Sequence, residues 1–197
     1  LFRSGAKSNW LAGDVPAARN ILALAFQANP NSEEIWLAAV KLESENNEHP
    51  RARKLLTRAR DSAPTARVYM KSAKLEWGLG NRDEALKLVI GGLNLFSDSA
   101  DKLWMMKAQL ELEMGLLNEA KSTFAQAVKK CTTCVPLWCM FADLELANGN
   151  ITKARSTIEK ARLRNPQNPD LWLKAVRIEL STLGTNGNKD QARALMS

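Results

Sequence analysis

Ile35-Trp36-Leu37 runs on to Leu42-Glu43, Leu103-Trp104-Met105 to Leu110-Glu111, Leu137-Trp138-Cys139 to Leu144-Glu145, and Leu171-Trp172-Leu173 to Ile178-Glu179. Val68-Tyr69-Met70, followed by Leu75-Glu76, fills the gap with Tyr in place of Trp, and Phe2 stands where the first anchor should be. Successive anchors, at positions 2, 36, 69, 104, 138 and 172, are 34, 33, 35, 34 and 34 residues apart. A period of about 34 residues is that of stacked helical hairpins, each of which buries its apolar face only against its neighbours. The expected fold is therefore all-α: a right-handed solenoid of tandem antiparallel helix hairpins. The copies are expected at about 1–31, 32–64, 65–99, 100–133, 134–167 and 168–197, forming a single array with both terminal copies truncated.

Within each copy, the first helix carries the aromatic anchor and, two turns later, a Glu on nearly the same stripe. Gly13, Gly80, Gly115 and Gly149 then recur at one phase, with Asn47 in the second copy. Gly and Asn best tolerate the left-handed conformation that ends a helix, so a turn is expected at each. The second helix is expected to open near Ala18-Arg19, Ala52-Arg53, Ala85-Leu86, Ala120-Lys121 and Ala154-Arg155. A small residue follows in each copy at Ala25, Ala59, Gly92, Ala127 and Ala161, where helices can approach closely. Pro30, Pro64, Pro136 and Pro166 are expected to mark the ends of copies, because Pro cannot continue a helix. In the last copy, four extra residues fall in a polar turn, Gly184-Thr185-Asn186-Gly187-Asn188, expected to form a longer loop. The chain begins at Leu1 and stops at Ser197 within a helical pattern, so a piece of a longer protein is expected, with apolar faces near Phe2 and Leu195-Met196 open to self-association.

The net charge of +7 and pI near 9.5 suit an acidic partner, either protein or RNA, though a solvated helical surface gives the same total. The cations gather on second helices: Arg51, Arg53, Lys54, Arg58 and Arg60, then Arg155, Lys160, Arg162 and Arg164. No stretch approaches 18 apolar residues, and no charged segment precedes an apolar one in the manner of a secretory signal. Three cysteines suggest free thiols. Cys131-Thr132-Thr133-Cys134 has the spacing of half a zinc site, but Cys139 sits beside an anchor and the only histidine, His49, lies two repeats away, most simply starting a helix before Pro50. No phosphate loop, metalloprotease motif or nucleophile-base set is present, so no catalytic residue, metal or cofactor is assigned.

The six Trp among many Lys and Arg invite a base-stacking reading. All occupy repeat register, however: four are anchors, and Trp10 and Trp77 share the site just after the acidic position, so core is the simpler reading. Glu43, Glu76, Glu111, Glu145 and Glu179 are read with Phe2, Trp36, Tyr69, Trp104, Trp138 and Trp172 as structural anchors of the repeat. A partly buried carboxylate needs a partner, and the second-helix Arg or a neighbouring backbone end would serve. Leu86 and Lys121 break that rule in two copies.

The phase resembles the tetratricopeptide repeat but departs from it at the Glu, where that family usually has Tyr. Trp, then the acidic residue, then Ala-Arg opening the second helix, resembles the HAT (half-a-TPR) repeat of RNA-processing complexes. The wording of Leu137-Trp138-Cys139-Met140-Phe141-Ala142-Asp143-Leu144-Glu145 and Ala154-Arg155-Ser156-Thr157-Ile158-Glu159-Lys160-Ala161-Arg162 is similar to HAT arrays of the spliceosomal tri-snRNP. The resemblance implies a nuclear, non-enzymatic protein–protein scaffold that bridges ribonucleoprotein components, with spliceosomal snRNP proteins as partners. RNA contact through the basic helices is the second reading. A peptide-gripping co-chaperone module is the third, weakened because the positions following the anchors, Leu37, Met70, Met105, Cys139 and Leu173, supply no donors for a carboxylate. Lys41, Lys74, Gln109, Asp143 and Arg177, five residues beyond each anchor, are the candidate partner-binding residues of the concave face; their mixed sign suits a protein better than a phosphate backbone.

Overall fold

The computed structural model describes residues 2–98 and 100–181, excluding the side chains of residues 2, 3 and 7. Among these residues the chain is all-α, with helices α1 (Phe2–Leu11), α2 (Val15–Ala28), α3 (Glu33–Glu45), α4 (His49–Ser62), α5 (Ala66–Gly78), α6 (Arg82–Phe96), α7 (Asp101–Glu113), α8 (Leu117–Lys130), α9 (Val135–Ala147), α10 (Ile151–Arg164) and α11 (Pro169–Ser181). Two compact units divide the chain, Leu1–Phe96 and Ser97–Ser197. In the first, α1/α2, α3/α4 and α5/α6 pair as hairpins; in the second, α7/α8 and α9/α10 pair and α11 packs on α9 and α10. The polar turn at 184–188 and Leu195-Met196 lie outside the described residues.

Each hairpin turn is the same local solution. Gly13, Asn47, Gly80, Gly115 and Gly149 all take positive φ, from 59° to 85°. In the second copy, the amide of Glu48 donates to the carbonyl of Glu43 at 2.8 Å, and that of Asn47 to Ser44 at 3.2 Å. Asn81 to Glu76, Leu116 to Glu111 and Asn150 to Glu145 repeat the bond from Glu48 to Glu43. This is the Schellman closure, in which two otherwise orphaned carbonyls are satisfied within the turn. The recurring Glu thus stands three places before the residue that caps its helix.

Second helices begin at Val15, His49, Arg82, Leu117 and Ile151, three residues ahead of the Ala-containing pairs read from the sequence. The Schellman turn needs only about three linking residues, so the next helix starts at once and the buried Ala falls in its first turn. Pro136 also differs from expectation. It opens α9 instead of closing the preceding copy, since a first-turn Pro lacks only an N–H that has no partner in the helix anyway.

Small residues mark the helix crossings. Ala18, Ala25, Ala52, Ala59, Ala73 and Ala85 are fully buried in the first unit, as are Ala108, Ala120, Ala127, Ala142, Ala154 and Ala161 in the second. Larger side chains fill the space between: Leu56, Val68 and Val89 in one unit, Phe124, Leu137, Ile158 and Leu171 in the other. Phe124 stacks on Phe141 with centroids 5.7 Å apart. Gly91 serves Tyr69, since an added Cβ would come within 3.4 Å of its ring.

Trp36, Trp104 and Trp138 are buried, and each indole N–H donates to a carbonyl in the loop before its helix: Pro30 at 2.7 Å, Ser97 at 2.8 Å and Thr132 at 2.9 Å. The ring fills the core while its one polar atom is satisfied. Trp172 is different, at 39% exposed, with the Arg162 guanidinium 3.4 Å from its ring centroid. The segment that follows α11 in the chain lies outside the described residues. Trp10 and Trp77 are half-buried. Truncating Trp138 to Ala is expected to cost about 3–5 kcal/mol, read as a lower urea midpoint. An unchanged midpoint would remove the indole from the core.

Candidate protein-binding groove and the clamps that hold it

The five recurring Glu side chains, 4–7% exposed, would each be an isolated buried charge without a partner. Three are met by a guanidinium from the preceding hairpin. Arg19 Nε and Nη2 reach the two Glu43 oxygens at 2.8 and 2.7 Å, Arg53 reaches Glu76 at 2.6 and 2.8 Å, and Arg155 reaches Glu179 at 2.6 and 2.5 Å. The fork-to-fork geometry is the strong form of a charge-assisted hydrogen bond. It raises the Arg19 pKa, chiefly through the Glu43 bond and against burial, and the Arg53 pKa through the Glu76 bond.

The two exceptions follow chemistry. Leu86 offers no donor, and Glu111 turns to Lys107 on its own helix at 3.3 Å, leaving its buried Oε2 unpartnered. Lys121 makes no ion pair with Glu145 among the described residues; Asn150 Nδ2 bonds that carboxylate instead, at 2.8 Å. Asn81 makes the same local bond to Glu76, at 2.7 Å.

These clamps fix the hairpins of the first unit around a groove of about 490 Å³. Glu34, Ala38, Lys41 and Glu45 line it from α3, Arg67, Lys71 and Lys74 from α5, and Ala6 and Trp10 from α1. Steps of three and four residues put each set on one helix face. Lys41 sits 5.5 Å above the Trp10 ring and 3.6 Å from Glu45; Arg67 pairs with Glu33 at 3.4 Å. Burial lowers the Lys71 pKa first, and the neighbouring charges of Lys74, Arg67 and Lys41 lower it further.

Of the five concave-face residues read from the sequence, all exposed, the structure brings Lys41 and Lys74 to this groove. Gln109, Asp143 and Arg177 belong to the second unit, where Asp143 pairs with Lys174 of the next first helix. Sequence reading missed Arg67 and Lys71, although Arg67-x-x-x-Lys71-x-x-Lys74 is a one-face stripe and would have been found by extending Lys74 back along its helix. The Phe2 side chain lies outside those described.

The basic second helices are partly committed to internal contacts. Arg53 and Arg155 hold clamps, Arg60 Nη1 donates to the buried Ser72 hydroxyl at 2.8 Å, and Arg162 covers Trp172. The thiols are free. Burial pushes all three thiol pKa values up, with Asp101 adding to the effect at Cys131 and Cys134 and Lys174 opposing it at Cys139. Cys131 and Cys134 instead frame the α8–α9 turn as helix-end residues. No group of three or more metal-binding side chains comes together among the described residues, and none of their helices is long and apolar enough to cross a membrane.

Tetratricopeptide repeat models match residues 10–75, 101–129 and 139–197. The chain is built of tetratricopeptide repeats. Similar repeat-containing stretches occur in Pre-mRNA-splicing factor prp1 of Schizosaccharomyces pombe, 41% identical over 156 residues, covering 79% of this chain and 17% of that protein. Pre-mRNA-processing factor 6 of Homo sapiens is 55% identical over 53 residues, 27% of this chain and 6% of that one. The chain therefore spans a small part of the curated relatives it matches. Among solved structures, the C-terminal part of a tetratricopeptide repeat protein from Cytophaga hutchinsonii superposes with a TM-score of 0.68 at 13% identity, covering 99% of this chain and 76% of that one. Pseudomonas aeruginosa pilF gives 0.64 at 16%, covering 98% and 86%. At such identities the tetratricopeptide repeat fold is what is shared.

The Glu76 carboxyl lies below its ordinary value of 4.5, chiefly through Arg53, helped by Asn81 and Arg60 and opposed by burial. Its contribution to stability is therefore complete above the unfolded value and is lost as pH falls through the folded one. Glu76→Gln is expected to cost about 1–3 kcal/mol near neutral pH, with the deficit shrinking as urea unfolding is repeated at progressively lower pH below that ordinary value. A deficit independent of pH would remove the charged clamp from the account.

Proposed function

We propose that the chain is a non-enzymatic protein–protein interaction scaffold of the HAT type, acting in the nucleus in pre-mRNA splicing. In this reading it bridges ribonucleoprotein components during tri-snRNP and spliceosome assembly, with snRNP proteins as partners and the six copies read from the sequence as its units. The observation that carries it is 41% identity across 156 residues to a pre-mRNA-splicing factor. Identity that extends over most of a repeat array retains surface as well as core, whereas the bacterial neighbours share only the backbone course. The Glu at the family's usual Tyr position supports the HAT assignment, because three of the five carry a bidentate Arg. RNA contact is the second reading, and the internal use of Arg53, Arg60, Arg155 and Arg162 weakens it.

Affinity capture from nuclear extract by the purified chain, with and without nuclease and read by mass spectrometry, is expected to recover the same splicing proteins under both conditions. Loss of every partner after nuclease would shift the function to RNA binding, and recovery of chaperones alone would overturn the splicing assignment.

A further inference from the structure

We infer that the groove of the first unit docks an acidic, extended segment of a partner protein, lying along α5 with its spaced carboxylates taken by Lys71 and Lys74 and flanked by Lys41 and Arg67. This deepens the scaffold reading and rests on it for the partner being a protein.

The charge in the groove is arranged for a ligand. Lys41 and Arg67 have acidic neighbours in Glu45 and Glu33, but among the described residues neither Lys71 nor Lys74 makes an ion pair. Four cations facing one cleft repel one another; burial lowers the Lys71 pKa first, and that repulsion lowers it further. A carboxylate placed among them relieves the repulsion and gains charge-assisted hydrogen bonds, so binding acts on strain already present.

Spacing selects an extended peptide. Arg67 and Lys71 are one helical turn apart, about 6 Å along the axis. Alternate residues of an extended chain are separated by about 6.6 Å and point to one side. Carboxylates at every second position therefore match Arg67 and Lys71, and Lys74, about 4.5 Å farther along the same face, meets the next through its flexible stem, while the intervening apolar side chains face Leu37, Ala38, Val40 and Leu75. The same lining disfavours a nucleic acid strand. Glu34 and Glu45 would oppose a continuous phosphate backbone, and a base stacked on Trp10 would have to displace Lys41 from over its ring. It also disfavours a terminal carboxylate, since the positions after the anchors are Leu37 and Met70.

The probe is a fluorescent peptide of about eight residues alternating Glu with Ala and Leu, blocked at both ends so that only side-chain carboxylates carry charge. Anisotropy titrations would compare it with a Gln-for-Glu peptide and with a short oligouridylate. The acidic peptide is expected to bind at least about tenfold more tightly than its neutral counterpart. K71E/K74E should erase that preference, while Lys129→Glu, an exposed reversal in the second unit, should leave it intact, with circular dichroism reporting the helical content of each variant. Equal binding of the two peptides, persistence of the preference in K71E/K74E, or preferential binding of the oligouridylate would each overturn the assignment. If the peptide is silent while splicing proteins are still captured from extract, the groove is wrong and the scaffold stands. If the peptide binds and capture fails, the groove stands and the splicing assignment falls.

Discussion

A carboxylate buried near the end of one helix must be answered by another part of the chain, and that requirement organises this structure. Glu43, Glu76 and Glu179 are each gripped by both arms of an Arg on the second helix of the preceding hairpin. The backbone carbonyl of Glu43 or Glu76 also closes the Schellman turn of its own hairpin. One residue therefore ends a helix, faces the core and ties successive hairpins together. Removing the Arg would leave a desolvated carboxylate, which is the costly outcome, whereas apolar packing alone could slide.

The exceptions show what the clamp does. With Leu86 in the Arg position, Glu111 is answered among the described residues by Lys107 of its own helix alone and keeps one oxygen unpartnered there. Lys121 lacks the planar fork of Arg and makes no ion pair to Glu145, whose carboxylate is served locally by Asn150. The Arg is the variable half of the pair and the Glu the constant half, as expected if the carboxylate belongs to the turn and the guanidinium to the interface.

Much of this was legible in the sequence. The turn at Gly80 or Asn47 could be read because only a left-handed residue ends a helix that way, and the buried Ala could be read because close crossings admit nothing larger. The doubt over Leu86 and Lys121 followed from side-chain chemistry alone. Other features were not legible. Which hairpin supplies the Arg depends on packing between copies, which no local spacing states. Pro136 was misassigned because a Pro that opens a helix and one that follows a helix look alike in a loop. At Trp172 the register named an anchor, but the environment of that side chain depends on what lies over it. The groove was half read: Lys41 and Lys74 came from comparing copies at one phase, while Arg67 and Lys71 needed the face of a single helix.

The groove depends on the clamps, since Arg19–Glu43 and Arg53–Glu76 hold the hairpins that line it. The direct test of the account is a double-mutant cycle of Arg53→Leu and Glu76→Leu, measured by urea unfolding near neutral pH. Because Arg53 is half exposed, its coupling with Glu76 is expected to be about 1–2 kcal/mol, with the double variant more stable than the sum of the single losses implies. Strict additivity would mean that the two side chains are merely adjacent and that apolar packing alone joins the hairpins.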